Sequence, residues 1–322
     1  MAQPRVSIVI PVYQSEATIV PLLRRLEATL EGSRRSWEVV LVDDGSRDGS
    51  WSRIKDAQEK DPGHVTGVRL MRNFGQHNAL MCGFARAHGD VIVTMDDDLQ
   101  NPPEEIEKLL QRLEETGDDV VYGRYGRKQH RSWRNTGSWL VNTFYRHAFK
   151  SQITVTSFRA IRRPVVDAIL RYDLNFTYVD GLLAWNTQRV TTVDVVHAPR
   201  PEGRSGYSIG KLATLAFNLV TNFSLLPLQC VMWTGIVLAM GGFGVGAFYL
   251  WKHLRNEIAV PGYASTITAV LVLGGAQLVA LGVIGEYLGR LHLNVNRKPQ
   301  YSIRTVLGDD EAGHKDTPGR SS

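Results

Sequence analysis

The chain has 322 residues, a formal net charge of +5 and two cysteines far apart in apolar contexts. That is room for one large domain or two, and it excludes a disulfide scaffold or a cysteine-paired zinc module. Residues 1–222 read as a soluble α/β region, 225–290 as membrane-like, and 308–322 as a polar tail expected to be disordered.

An apolar strand is expected at 6–11; it is too short for a signal peptide and ends at Pro11. Ile19, Leu22, Leu23, Leu26 and Leu30 then recur at helical spacing across 15–30. A second strand at 37–42 ends in Asp43, Asp44, Gly45 and Ser46. A helix at 50–60, a strand at 65–70, a helix at 78–88 and a strand at 91–95 follow. Alternation with short joins predicts a mostly parallel sheet with helices on both faces. Ligands of such sheets bind beyond the carboxyl ends of the strands. Tyr13, Asp43, Asp44 and the triplet Asp96, Asp97, Asp98 all fall there.

The triplet is the strongest chemical signal. Strand alternation places Asp96 and Asp98 on one side and Asp97 on the other. Such carboxylates repel and bury badly without a cation, and oxygen-only ligands suit Mg2+ or Mn2+ bridging to substrate phosphates. The bland alternative is an acidic turn before a helix, with Asn101 as its N-cap and Pro102 and Pro103 at its first positions. Asp43 to Ser46 is open in the same way. It is either a plain Asp-Gly turn or an acceptor for the N–H groups of a base or for a ribose. No Rossmann glycine fingerprint and no Walker loop is present, so no glycine cradle holds a nucleotide.

SIVIPVYQSEATI (7–19), VVLVDDGSRDGS (39–50), RNFGQHNALMCGF (72–84) and GDVIVTMDDDLQNPPEEI (89–106), in this order, resemble the inverting glycosyltransferases of family 2 with a GT-A fold. More narrowly they resemble the branch that acts on polyprenyl phosphates. The resemblance implies that Asp43 contacts a nucleotide base, with Pro11, Tyr13 and Glu16 nearby. It implies that Asp96 and Asp98 are a DxD pair binding Mg2+ or Mn2+ and the donor diphosphate, with Gln100 able to complete the metal shell. TSFR (156–159) resembles a family segment that often reads Ser-Gly-Phe-Arg, and puts Arg159 among the catalytic candidates with Asp96 and Asp98. Many relatives carry an upstream Asp proposed as a base. Here 152–155 holds no carboxylate, which fits an acceptor phosphate, already anionic at pH 7 because its second pKa is about 6.

Residues 124–163 are rich in Arg and Lys and lack Asp and Glu. Trp133, Leu140 and Phe144 interleave with Arg131, Arg134, Arg146 and Lys150. A basic amphipathic helix near 129–150 suits an anionic membrane surface, and the apolar spans that follow argue against nucleic acid. HAPRPEGRSGYSIGKL (197–212) resembles a family segment near the phosphates, which makes Arg200, Ser205 and Lys211 phosphate-binding candidates. A second interfacial helix is expected at 207–223.

Residues 225–251 and 263–288 each exceed the roughly 20 residues needed to cross a bilayer. A short link makes them a hairpin, and Arg290, Arg297, Lys298 and Arg304 beyond the second span place domain and tail in the cytoplasm. GEYLGRLHLNVNRKPQY (285–301) again resembles the family. The expected architecture is therefore a cytoplasmic GT-A domain (1–206), the second interfacial helix, a two-span hairpin (225–290) and a cytoplasmic tail (291–322). Glycines 241, 242, 244, 246, 274 and 275 allow close helix contacts, and the resemblance implies a homo-oligomer, a tetramer in relatives.

The expected function is inverting transfer from a nucleotide diphosphate sugar to undecaprenyl or another polyprenyl phosphate, at the inner membrane, for the cell envelope. The bacterial relatives favour a UDP-sugar, and the run from Arg72 to His77 admits a modified pentose. The alternatives are a processive polysaccharide synthase, which would need a Gln-x-x-Arg-Trp element missing here, or a nonenzymatic scaffold on a degenerate nucleotide fold.

Overall fold

The structure is a computed structural model and describes residues 5–33, 35–125, 155–174, 177–196, 198, 226–255, 262–295 and 299–308. The expected interface helices near 129–150 and at 207–223, and the tail beyond 308, lie outside these residues. The chain divides into two compact units, Met1–Gly206 with Pro299–Ser322, and Tyr207–Lys298.

The first unit begins β1 (Val6–Val12), α1 (Glu16–Glu31), β2 (Trp37–Asp43), α2 (Ser50–Lys60), β3 (Val65–Leu70), α3 (Gln76–Arg86) and β4 (Val91–Thr94). A 3-10 turn at Pro103–Glu105 leads into α4 (Ile106–Thr116) and β5 (Val120–Tyr125). After the undescribed stretch come β6 (Arg159–Arg162), α5 (Arg163–Ile169), α6 (Val179–Asn186) and β7 (Val190–Val195). Beyond the second unit, β8 (Ile303–Leu307) completes the set.

Among the described residues, these strands form one sheet in the order β7-β5-β6-β4-β1-β2-β3-β8. Its centre is parallel: β1 pairs with β2 and β4, and β2 with β3. β6 runs antiparallel between β4 and β5, and β8 closes the β3 edge antiparallel. The residues after the apolar spans, expected only to be tail, thus supply an edge strand. Gln300 anchors the returning chain by donating its Nε2 hydrogens to the Tyr172 and Leu174 carbonyls at 2.8 and 3.0 Å.

Period-2 alternation in β1 divides the core. Ile8 and Ile10 face Ile19, Leu22 and Leu26 of α1, Ile54 of α2, and Leu109 and Leu113 of α4. Val9, with Val40 and Val42 of β2, faces Leu80 and Phe84 of α3, Val166 of α5 and Leu182 of α6. Helices therefore cover both faces. At Gly83 a Cβ would stand 2.3 Å from Val9 Cγ1, so only glycine lets α3 lie this close to β1.

The second unit holds α7 (Leu226–Leu254) and α8 (Tyr263–Val295), which touch each other. Each contains a segment long and apolar enough to cross a membrane, Leu228–Phe248 and Val272–Gly289. Among the described side chains of these segments none is buried in the protein; Phe243 is 82% and Leu278 72% exposed. Water strongly disfavours two such surfaces, and hydrocarbon does not.

Candidate active site

β4, β1 and β2 are adjacent and parallel, so their carboxyl ends open on one edge of the sheet. That edge brings together the end of β1 (Pro11, Tyr13), the end of β2 (Asp43, Asp44) and the triplet just past β4.

Asp43 and Asp44 separate into different tasks. Asp44 accepts the Phe74 and Gly75 amide hydrogens at 2.6 and 2.9 Å, which fixes the entry to α3. Burial pushes its carboxyl upward, against those two bonds. Asp43 is fully buried, and its Oδ1 accepts the Ser46 amide at 2.9 Å. Among the described residues its Oδ2 has no hydrogen-bond partner. Arg69 Nε is 3.3 Å from it, close enough for charge attraction but not aligned to donate. A buried carboxylate oxygen without a hydrogen-bond donor is costly and suits a ligand N–H or hydroxyl. The turn itself needs Gly45, which has φ of +71° and would bring a Cβ within 2.5 Å of the Arg72 carbonyl carbon.

Asp96 and Asp97 turn to different segments, although β4 ends at Thr94 and the triplet is not part of the strand. Asp96 accepts Gln76 Nε2 at 2.7 Å and Ser157 Oγ at 2.5 Å. Asp97 turns toward β1 and accepts the Tyr13 amide at 3.1 Å and Ser15 Oγ at 2.5 Å. Asp98 accepts the Gln100 amide at 3.1 Å. Burial raises the Asp96 carboxyl above its ordinary range, the Asp98 charge adds to this, and Ser157 and Gln76 oppose it. Burial likewise pushes Asp97 up to about 6. Tyr125 is pushed up to about 12 by burial and by the Asp96 charge.

A desolvated Asp96 carboxyl with the Asp98 charge acting on it is an oxygen donor set suited to a hard divalent cation. Among the described residues no three acidic, His or Cys side chains converge on one point. Asp96 and Asp98 would therefore supply part of a coordination shell, which fits an ion shared with a diphosphate.

Tyr13 is 45% exposed at the mouth of this edge, and Pro11 is buried in β1. Glu16 faces the start of α2: its Oε2 accepts the Gly49 amide at 3.0 Å, while its own amide donates to Asp48 Oδ2 at 3.3 Å. The two helix starts thereby cap each other. Asn101 is not a helix cap. The 3-10 turn starts from Pro102, and Asn101 Oδ1 accepts the Tyr125 hydroxyl at 2.6 Å. Asn101 is almost wholly buried, with its side-chain oxygen engaged by Tyr125 instead of by the turn's amides.

Arg159 is 1% exposed. Its NH1 binds Asp180, its guanidinium carbon lies 5.9 Å from the Tyr122 ring centre, and its Nε has no hydrogen-bond partner among the described residues. The arginine is thus a buried charge beneath the triplet. Arg200, Ser205 and Lys211 lie outside the described residues.

Residue patterns alone did not assign Gln76, Ser157, His77 or Asp97. Gln76 and His77 sit within the motif at 72–84 and Ser157 within 156–159, so the motifs pointed to the region without showing direction. His77 accepts the Val179 amide at 3.4 Å through Nδ1, and burial, with Arg159 nearby, lowers its pKa to about 4. A cavity of about 370 Å3 lies at the opposite end of the sheet, by Val6 and Trp37, where Glu107 and Glu114 engage Arg35. It is remote from this chemistry.

Residues 7–170 match the family profile Glycosyl transferase family 2, and residues 226–291 match the GtrB C-terminal hairpin. The chain belongs to glycosyl transferase family 2. This glycosyltransferase is 34% identical over 307 residues to an undecaprenyl-phosphate 4-deoxy-4-formamido-L-arabinose transferase of Salmonella paratyphi A, covering 94% of both chains. It is 36% identical to the protein of that name in Photorhabdus laumondii, covering 95% of both. Among solved structures, glucosyl-3-phosphoglycerate synthase of Mycobacterium tuberculosis, in complex with Mn2+, UDP and phosphoglyceric acid, is similar with a TM-score of 0.51 at 18% identity. That match covers 68% of this chain and 76% of the other. It speaks for the shared fold of the family 2 glycosyltransferase domain.

Proposed function

We propose that this glycosyltransferase moves a sugar, with inversion, from a uridine diphosphate sugar to undecaprenyl or another polyprenyl phosphate. One arrangement carries the reading: the unbonded Asp43 oxygen and the Asp96 and Asp98 carboxylates lie at the ends of strands that flank β1. They suit the two ends of a nucleotide diphosphate. The names of the relatives, which match along nearly the whole chain, support the acceptor and make a 4-deoxy-4-formamido pentose the first sugar to test.

Asp43 Oδ2 accepts an N–H of the base, Tyr13 and Pro11 border it, and Glu16 acts from behind by holding the Asp48 and Gly49 loop. Asp96, Asp98 and Gln100 would hold Mg2+ or Mn2+, which when bound neutralises charge on the departing diphosphate. Arg159 acts through its field, lowering the cost of an ionised Asp96. Arg200, Ser205 and Lys211 bind phosphate oxygens. The acceptor phosphate needs no general base, because it is already ionised at pH 7 with its second pKa about 6.

The hairpin spans the cytoplasmic membrane, in which a polyprenyl carrier is dissolved, and the catalytic unit faces the cytoplasm. The first unit is assembled from chain on both sides of the hairpin, as two crossings require. Open space beside Gly241, Gly244 and Gly274 leaves room for a second copy in a homo-oligomer.

The test is a panel of radiolabelled sugar nucleotides incubated with the purified chain and undecaprenyl phosphate, with Mg2+ or with EDTA. Label should enter the lipid phase from one donor and only with the ion. Label that accumulates in a polymer, or fails to enter lipid from any donor, would reject the proposal.

A further inference from the structure

Asp97 sits between the two carboxylates assigned to the cation, yet its bonds lead elsewhere. Its Oδ2 gathers the Tyr13 amide at 3.1 Å and the Ser15 hydroxyl at 2.5 Å. The same segment is held from the opposite side. The Gln14 amide donates to Ser46 Oγ at 3.0 Å and the Ser15 amide to Ser50 Oγ at 2.9 Å. Ser46 in turn donates its own amide to Asp43 Oδ1 at 2.9 Å. An unbroken line of hydrogen bonds therefore runs from the triplet, through residues 13–15, to the carboxylate expected to meet the base.

The line is bent at two places. Gln14 has φ of 54° and Leu99 has φ of 60°, both in the left-handed region that residues with a Cβ seldom adopt. Such conformations persist where surrounding bonds over-determine them, and they concentrate at ligand clamps. Gln14 lies between the two residues bound to Asp97, and Leu99 lies two residues after it.

We propose that Asp97 is a positioning residue, which holds residues 13–15 in the shape that presents Tyr13 to the donor nucleotide and so ties the nucleotide end of the site to the cation end without ligating the ion. What the segment is for rests on the donor reading above; what Asp97 does rests on the hydrogen bonds alone. A bond to a charged acceptor is stronger than a neutral one and leaves its donors unsatisfied when the acceptor is removed. Asparagine keeps an acceptor oxygen that can take both donors, and alanine does not.

The experiment uses the full chain in detergent micelles, freed of metal with EDTA. Amide hydrogen exchange is followed over residues 12–17, and binding of Mn2+ alone and of UDP alone is titrated. In Asp97→Ala, exchange at residues 13–15 should rise about tenfold or more, with global unfolding unchanged. In Asp97→Asn it should stay within about threefold of the parent. Should Asp97→Ala fail to fold, Ser15→Ala removes one donor from the same clamp and should also speed exchange at these amides. UDP affinity in EDTA should fall with Asp97→Ala and hold with Asp97→Asn, and Mn2+ affinity without nucleotide should hold in both. Unchanged exchange in the alanine variants would overturn the proposal. Mn2+ affinity lost in both Asp97 variants would do so too, by making Asp97 a ligand. If the parent binds no UDP with or without Mn2+, the donor reading fails, while the exchange comparison still decides the role of Asp97.

Discussion

Among the described residues, Asp43 leaves one carboxylate oxygen without a hydrogen bond, whereas its neighbour Asp44 engages both of its own with the Phe74 and Gly75 amides. Adjacent residues of one type thus have opposite expected phenotypes. Asp43→Ala should raise the donor KM roughly tenfold to a hundredfold with kcat little changed, and should cost less stability than Asp44→Ala, because inside the fold it removes the acceptor of one amide, that of Ser46. Asp44→Ala should instead lower stability by about 1–3 kcal/mol, since two amides at the entry to α3 lose their acceptor. Steady-state kinetics paired with thermal unfolding separates the two, and equal behaviour would contradict the division.

Asp98→Ala and Asp96→Asn should each lower transfer by roughly a hundredfold or more, as expected when stabilisation of a leaving diphosphate is lost. Membrane insertion and the unfolding temperature should remain those of the parent. Transfer assays on detergent-extracted protein check this, and retained activity in Asp98→Ala would remove the cation assignment.

His77 makes stability depend on acid. Its folded pKa of about 4 is below the ordinary 6.5, so between these values the unfolded chain binds more protons than the folded one. The stability it contributes is present above pH 6.5 and is lost as pH falls through about 4. A gap of one pH unit between folded and unfolded pKa corresponds to about 1.4 kcal/mol; the imidazole still meets some solvent, so about 1–3 kcal/mol is expected across the window. Denaturant unfolding of the parent and of His77→Gln at pH 7 and pH 5 tests it. The substitution should flatten the dependence, and parallel slopes would exclude His77 as its source.

Val306 lies opposite Val68 in the β3–β8 pairing and packs on the core face that carries Phe84. Val306→Asp places a charge there and should destabilise the catalytic unit by about 1–3 kcal/mol. It should also free the β3 edge, so aggregation on warming is expected beside a lower Tm. A variant as stable as the parent would mean that β8 is dispensable to the sheet.

Much of the first half was legible. Val65–Leu70 and Ser50–Lys60 fall where the apolar pattern put them, and β1, β2, β4, α1 and α3 shift by one or two residues. Local periodicity reports burial directly, and each of these elements is flanked by a clear turn. β6 was not legible, because a four-residue antiparallel strand between β4 and β5 is defined by its neighbours and not by its own pattern. β8 was hidden for a related reason: its partner β3 is more than two hundred residues earlier, and no local signal records such pairing.

The amino-acid order by itself determined the alternating α/β layout, the two apolar helices and the gathering of acidic residues at strand ends, because hydrophobic period and strand direction are local properties. Tertiary structure alone decided which carboxylate meets which donor. Asp44 and Asp97 are tied to backbone amides from other segments, Asp96 to Gln76 and Ser157, and Asp43 keeps an oxygen without a hydrogen bond. Hydrogen bonds reach only about 3 Å, so their partners are set by how distant segments pack, and spacing along a chain does not encode that distance.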